Sequence, residues 1–98
     1  MASTTVTLSG YIVVRADELD TVVEALVSHI QLTKEELGCI DFTVIQRVDN
    51  PLIFDVYEAF LDSTAFDIHQ ARTKKSAWSV ATLNAERNYT LKNYISTE

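Results

Sequence analysis

The chain has 98 residues, of which 47% are hydrophobic and 22% are charged, and its formal net charge is −6 at pH 7. This length suits one domain with one core, and the composition excludes a disordered or collagen-like chain. Since a nucleic-acid partner requires a surplus of basic residues, the acidic balance leads us to expect no binding to DNA or RNA.

The sequence carries no signal that directs a protein to a membrane or to secretion. No apolar run approaches the roughly 20 residues that cross a bilayer, and the residues from Met1 to Thr4 do not resemble a signal peptide. Cys39 is the only cysteine, which excludes an internal disulfide. We therefore expect a cytoplasmic protein that packing alone stabilises.

The first part of the chain predicts a strand, a helix and a second strand. Residues 5–14 alternate as a half-buried strand does, and apolar residues then recur at three- and four-residue spacing up to residues 36–37, which predicts an amphipathic helix. We expect Asp17 to cap this helix and Gly38 to close it in the left-handed conformation. A second strand follows over residues 39–47, with Ile40, Phe42 and Val44 on one face.

The second part predicts a hairpin, an interrupted helix and a last strand. The turn signal Asn50-Pro51 leads into a strand over residues 52–60, which should pair antiparallel with the strand before it. A helix should begin near Ala65, and residues 74–76 interrupt or bend it. Residues 87–95 form the last strand.

The predicted order βαββαβ is that of a ferredoxin-like α+β domain with a four-stranded antiparallel sheet. We expect a single domain over residues 1–98 with its core at about residues 5–95. Both faces of the sheet carry large apolar groups, although the helices cover only one of them; Tyr11, Val13 and Tyr57 are on the second face. An apolar patch in water is costly, so we expect a homodimer joined through its sheet faces. A monomer that tolerates a few exposed aromatic residues is the alternative.

Three segments of the chain resemble motifs of the antibiotic biosynthesis monooxygenase family. The family's Glu-Pro-Gly-Cys signature corresponds to Glu36-Leu37-Gly38-Cys39. Its Tyr-Glu-x-Trp-x-Ser and Ala-Phe-x-x-His patterns are resembled by residues 56–60, followed by Asp62-Ser63, and by residues 65–69. Leu37 and Phe60 stand where the family has proline and tryptophan. The resemblance extends over about residues 6–94 and implies a dimeric α+β barrel.

The same resemblance implies an activity. Members of the family include oxygenases that act without a cofactor on quinols and polyketide-like aromatics, and isomerising and haem-degrading relatives are known. The haem-degrading relatives use an asparagine in the first strand, and residues 6–14 contain none.

His69 and Glu58 are the candidate proton-transfer groups. Histidine exchanges a proton near neutral pH, and a structural histidine is the alternative for His69. If Glu58 shares a strand face with apolar residues, burial raises the pKa of its carboxyl group. An ion pair with Arg72 or Arg47 is the alternative for Glu58.

Five aromatic residues could form the wall of a pocket for a planar ligand, or could be ordinary core. They are Tyr11, Phe42, Tyr57, Trp78 and Tyr89. We expect no metal site, because two histidines 40 residues apart and a single cysteine give none of the compact ligand spacings of such sites. We expect no nucleotide cofactor, because the chain has no glycine-rich loop.

Two further residues receive structural interpretations. His29 lies on the first helix between the apolar residues Leu26 and Ile30, matches no motif and is expected to be a boundary residue. Cys39 is expected to be a small buried hydrophobic residue, since the sequence places no clear base or helix N-terminus near it to activate its thiol.

These observations and the resemblance together give the hypothesis of a cofactor-independent monooxygenase that uses molecular oxygen on a small quinol-like or polyketide-type aromatic substrate. In this hypothesis His69 transfers the proton and Arg72 stabilises a phenolate. Tyr57 and Trp78 are also assigned to catalysis. The residues assigned to binding the substrate, besides Arg72, are Glu58, Phe42, Tyr11 and Tyr89. An oxygen-independent isomerase and a non-catalytic dimeric binding module are the two alternatives.

Overall fold

The computed structural model describes residues 4–95, which form four strands and three α-helices. The elements are β1 (Val6–Val13), a 3₁₀ turn (Ala16–Glu18), α1 (Leu19–Lys34), β2 (Cys39–Gln46), β3 (Ile53–Phe60), α2 (Ser63–Lys74), α3 (Ala77–Ala81) and β4 (Glu86–Lys92). The strands form one antiparallel sheet in the order β2-β3-β1-β4. The predicted ferredoxin-like fold is confirmed, with the second helix in two pieces.

The helices lie on one face of the sheet and bury its apolar row. In the register of β1 against β3, Ile12 is opposite Phe54, Leu8 is opposite Glu58, and Val6 is opposite Phe60. All of these residues are buried. Because alternate residues of a strand share a face, Glu58 is a carboxylate set into an apolar row beneath the helices.

The start of α1 differs from the prediction that Asp17 caps it. The carboxylate of Asp17 accepts hydrogen bonds from Arg15 instead, and the residue at the N-cap position, Glu18, makes no side-chain capping bond. A 3₁₀ turn precedes the helix and provides a hydrogen-bond acceptor for a backbone amide at its start, since the Glu18 amide donates to the Arg15 carbonyl.

The end of α1 also differs, because Gly38 is not in the left-handed conformation. The helix ends at Lys34, and a turn leads into β2. Gly38 has a packing reason instead: a Cβ atom there would collide with the Cβ atom of Ala65 on α2. The glycine that does adopt a positive φ, of 146°, is Gly10 in β1, where a Cβ atom would collide with the carbonyl of Asn88.

The break between α2 and α3 is confirmed, and each helix has its own cap. Asp62 accepts a hydrogen bond of 2.8 Å from the amide of Ala65 at the start of α2. Ser76 accepts one from the amide of Ser79 at the start of α3. The break turns the chain so that Trp78 is buried against the core.

Two strands differ from their predicted extent or faces. A β-bulge at the start of β2 shifts the register between Cys39 and Asp41, so Ile40 is 55% exposed and does not share the buried face of Phe42. The last strand ends at Lys92 rather than residue 95, because Asn93 has a φ of 65° and turns the chain.

The uncovered face of the sheet presents apolar side chains among polar ones. Ile45 is 60% exposed and Tyr57 is 41% exposed. Arg47 lies over the ring of Tyr11 on this face, 5.1 Å from the ring centroid, and pairs with Asp55. Among residues 4–95, no helix is long and apolar enough to cross a membrane.

Candidate functional site

His69 occupies the space between α2 and the sheet, with a carboxylate on either side of its ring. Its exposure is 1%. The Nδ1 atom lies 2.9 Å from Oε2 of Glu36, which follows α1, and the Nε2 atom lies 3.7 Å from Oε1 of Glu58 on β3. The first distance is that of a hydrogen bond, whereas the second is too long for one.

The carboxylate of Glu36 is shared between His69 and Arg72. Nε of Arg72 donates to the same Oε2 atom at 2.8 Å, and Nη2 donates to Oγ1 of Thr33 at 2.8 Å. A carboxylate accepts but does not donate, so Nδ1 of His69 carries the hydrogen. The lone pair of the neutral imidazole is therefore on Nε2, on the side of Glu58, where it accepts a long hydrogen bond of 3.4 Å from the hydroxyl of Thr73.

The surroundings of His69 set its charge near neutral pH. Burial lowers the pKa of His69, and the hydrogen bond and negative charge of Glu36 oppose this effect. The ring is consequently neutral at pH 7 and can accept a proton at Nε2. Glu36 then stabilises the imidazolium that forms.

Glu58 is the second titratable group of the site. Burial raises the pKa of Glu58 to about 7, and the negative charge of Glu36 adds to this effect. Its buried Oε1 atom has no hydrogen-bond partner among the described residues. At neutral pH the Glu58 carboxyl group is thus divided between its protonated and ionised forms and faces the lone pair of His69.

His29 is a site residue that the sequence interpretation missed. It is buried rather than at a boundary, because Val22, His29 and Thr33 form the buried stripe of α1. Its ring stacks on Trp78 with a centroid distance of 4.9 Å and an interplanar angle of 2°. Burial is the main reason why the pKa of His29 falls to about 3, so this ring is neutral. The seven- and four-residue spacings of the stripe are the signal that identifies it.

These side chains line a cavity of about 250 Å³ between the helices and the sheet. His69, Glu58, Trp78, His29 and Tyr89 contribute to its wall, and the exposed residues Lys74 and Arg87 also line it. The cavity therefore combines a base, an acid and flat aromatic surfaces, which is the composition expected of a site for a small planar ligand.

The predicted site residues separate into three groups. His69, Glu58, Trp78 and Tyr89 meet at the cavity. Phe42 and Arg72 lie one layer behind it, where Phe42 contacts the rings of His29 and His69, and Arg72 holds Glu36.

Tyr11 and Tyr57 form the third group, and the expectation that they line the same pocket is wrong within this chain. Tyr57 precedes Glu58 in β3, and adjacent residues of a strand point to opposite faces. Tyr11 lies opposite Asp55, two residues from Tyr57, and so shares the uncovered face.

A larger surface groove of about 500 Å³ lies between α1 and α3. Its lining is mostly alanine, serine, threonine and valine, and Glu24 is its only ionisable side chain. Because proton transfer needs a base in contact with the substrate, the smaller and more polar cavity is the candidate active site.

Metal ligation and thiol chemistry have little basis in the described residues. Within residues 4–95 no group of three or more histidine, cysteine, aspartate or glutamate side chains is arranged to hold a metal ion. Burial and the neighbouring carboxylates raise the pKa of Cys39, which keeps its thiol protonated.

A family model described as antibiotic biosynthesis monooxygenase matches residues 5–79 of the chain. A search of curated proteins gives no match. Among solved structures, a similar protein from Nitrosomonas europaea has 20% identity, with 93% of this chain and 88% of that chain covered and a TM-score of 0.73. Another, from Deinococcus radiodurans, has 21% identity, with 96% of this chain and 93% of that chain covered and a TM-score of 0.72. MupZ from Pseudomonas fluorescens has 15% identity over 93% of this chain and 69% of its own, with a TM-score of 0.76. At these identities the likeness to solved structures shows the fold alone.

Proposed function

The chain belongs to the antibiotic biosynthesis monooxygenase family, and we propose that it is a cofactor-independent monooxygenase of a small quinol-like or polyketide-type aromatic substrate. The observation that carries the proposal is the Glu36–His69 pair, in which a neutral imidazole directs Nε2 toward an aromatic-walled cavity. This arrangement supplies the base that such a reaction needs.

In the proposed reaction, Nε2 of His69 removes the proton of a substrate hydroxyl group. The resulting phenolate is electron-rich and reacts with molecular oxygen. One oxygen atom forms a bond to a ring carbon and the other leaves as water, so a quinol gives a hydroxyquinone and the substrate itself is the reductant. His69 and Glu58 are buried at the inner end of the cavity, and this position limits the access of bulk water to the anion while it reacts.

The position of Arg72 changes the role that the sequence suggests for it. Arg72 lies behind Glu36 and does not line the cavity. In the proposal it is a positioning residue that fixes the Glu36 carboxylate, and through it the His69 ring, rather than a group that binds the phenolate. Trp78 and Tyr89 provide the surfaces on which the substrate ring packs.

The volume of the cavity favours a substrate with one ring. Since a water molecule occupies about 30 Å³ in the liquid, a cavity of about 250 Å³ holds roughly the volume of eight waters. A dihydroxybenzene has eight non-hydrogen atoms. A polycyclic phenol would have to extend out of the cavity or move the helices.

Oxygen consumption with hydroquinone and its ring-substituted derivatives tests the proposal. We expect His69→Ala to lower the rate at least 10²-fold, in line with the loss of a general base, and Tyr57→Phe, on the far face of the sheet, to leave it nearly unchanged. A rate that survives in His69→Ala would contradict the proposal. Binding without any turnover over a broad panel of quinols would identify a ligand-binding module instead.

The pairing of Glu58 with His69 supports a second candidate, an isomerase that needs no oxygen. A protonated carboxyl group and a neutral imidazole, 3.7 Å apart at the cavity, can deliver one proton to a substrate and remove another, as a keto–enol shift requires. Turnover of a hydroxyketone under strict exclusion of oxygen distinguishes this candidate from the monooxygenase.

We also propose that two copies of the chain associate through the uncovered sheet face. Ile45 and Tyr57 are exposed there beside the half-buried Val13, and exposed apolar patches of this kind commonly mark interfaces. In such a dimer the tyrosines of the outer face belong to the interface and not to the cavity.

A further inference from the structure

Arg87 differs from the other arginines of the chain in its partners. Arg15, Arg47 and Arg72 form ion pairs with carboxylates at 3.1, 2.8 and 2.8 Å. The recorded partners of Arg87 are neutral oxygens: Nη1 donates to the carbonyl of Thr82 at 3.0 Å, and Nη2 donates to the hydroxyl of Thr82 at 2.7 Å. A longer contact of 3.4 Å joins Nη1 to the Ala85 carbonyl, and the Arg87 side chain also forms a hydrogen bond with the hydroxyl of Tyr89. Within the described part of the chain it has no carboxylate partner, so its guanidinium is fixed in place with its charge uncompensated.

The cavity has this cation at one end and the acid–base pair at the other. Arg87 lies opposite Ile12, whereas Glu58 lies opposite Leu8, so their places in the sheet differ by four residues along β1 and by two strands across it. The side chains converge from these positions, because Arg87 forms a hydrogen bond with the hydroxyl of Tyr89, and the charge of Glu58 acts on the same hydroxyl. Tyr89, opposite Gly10, stands between these two ends.

A second cation lines the same cavity. Lys74 is in the last turn of α2 and forms no ion pair with any residue between 4 and 95. In a chain whose net charge is −6, two uncompensated cations at one cavity require a reason. A fixed guanidinium is well suited to bind carboxylate or phosphate oxygens, and a nearby ammonium adds to the attraction.

We propose that the Arg87 end of the cavity binds an anionic substituent, a carboxylate or a phosphate, on the substrate. The inference rests on the proposed function, since it places the phenol of the same substrate at His69. The substrate would then be a single-ring quinol whose anionic group reaches the exposed end, where Lys74 and Arg87 lie. The uncharged ring packs between them, along Tyr89 and Trp78.

Binding measured without turnover tests this anion subsite. The purified protein is titrated under nitrogen with hydroquinone, with 2,5-dihydroxybenzoate and with 4-hydroxyphenyl phosphate, by calorimetry and by the fluorescence of Trp78, which is the only tryptophan. We expect at least one of the two anionic ligands to bind tenfold or more tightly than hydroquinone. Whichever of them does so identifies the source of the anion as a carboxylate or a phosphate.

Variants of the cations show whether Arg87 is responsible. Arg87→Gln should remove the preference, so that the anionic ligand binds this variant no more tightly than hydroquinone does. Lys75→Gln removes a cation that is next to Lys74 but does not line the cavity, and it should keep the preference. If Arg87→Gln does not fold, the wild-type protein is titrated at increasing salt concentration instead. The preference for the anionic ligand should largely disappear near 1 M ionic strength, where the screening length is about 3 Å.

The subsite is wrong if neither anionic ligand binds more tightly than hydroquinone, or if the preference persists in Arg87→Gln. This result is independent of the proposed reaction. If the protein prefers anions but consumes no oxygen, the subsite is supported and the monooxygenase proposal is rejected. If it consumes oxygen with hydroquinone but shows no preference for anions, the monooxygenase proposal is supported and the subsite is rejected.

Discussion

The carboxylate of Glu36 lies 2.9 Å from Nδ1 of His69, although 33 residues separate the two in sequence. One residue follows the first long helix and the other lies in the middle of the next, and the antiparallel sheet brings the two elements together. Arg72, one turn after His69, binds the same carboxylate oxygen. The candidate base is therefore oriented by a group from another element, as general bases in active sites commonly are.

We predict that Glu36→Gln lowers the rate with a quinol substrate on the order of 10²-fold. The carboxamide keeps the shape but loses the charge that stabilises imidazolium. Because Glu36 raises the pKa of His69 against the effect of burial, its loss should also move the acidic limb of the pH–rate profile to lower pH. The profile is the decisive reading, since a merely structural role for Glu36 would lower the rate without moving the limb.

The stability of the protein should depend on pH through Glu58. The pKa of Glu58 is about 7 in the fold, above the ordinary value of 4.5, so the folded state holds a proton that the unfolded state releases first. Stability from this group is complete below pH 4.5 and is lost as the pH rises toward 7. Relative to the wild type, Glu58→Gln should gain up to about 3 kcal/mol in the free energy of unfolding between pH 4 and pH 8.

Denaturant titrations of both proteins at the two pH values measure this difference. The comparison cancels the contributions of His29 and His69, which are present in both chains. A difference between variant and wild type that stays constant with pH would show that the Glu58 carboxyl group is not desolvated in the fold.

Gly10→Ala should destabilise the fold by about 2 kcal/mol or more, because a side chain at a positive φ is strained and its Cβ atom would collide with the Asn88 carbonyl of β4. The neighbouring change Ser9→Ala, on the other face of the same strand, is the control and should cost little. Thermal denaturation of the two variants gives the comparison. Equal melting temperatures would mean that β4 does not approach β1 as closely as the structure has it.

Most of the fold is predictable from the sequence because alternation and helical spacing report burial directly. Asp17 fails as a cap because Arg15, two residues away, competes for its carboxylate. Alternation places Ile40 on the face of Phe42, and the structure does not, because a bulge has no local signal in the alternation.

The candidate site is less predictable, because its partners come from separate elements. Alternation predicts that only one of Tyr57 and Glu58 faces the helices, and it does not say which other groups meet there. His69 is found from its motif, whereas Glu36 and Arg87 acquire their roles only from contacts across the fold. His29 could have been found from its spacing with Val22 and Thr33.

Association through the uncovered sheet face predicts a solution mass twice the 11.0 kDa of the chain. Tyr57→Asp together with Ile45→Asp places two charges on that face and should yield a monomer, whereas Leu37→Asp, at an exposed site outside the sheet, should not. Light scattering at micromolar protein concentration measures the solution mass of the wild type and of each variant. A wild-type monomer would show that the apolar residues of this face are simply tolerated in water.

The fate of labelled oxygen tests the central claim most directly. A quinol substrate is incubated with the protein under ¹⁸O₂, and the product is weighed by mass spectrometry. We predict one ¹⁸O atom in each hydroxyquinone formed, a rate that falls at least 10²-fold in His69→Ala and an unchanged rate in Tyr57→Phe. Product without the label, or label that enters equally fast in His69→Ala, would contradict the account.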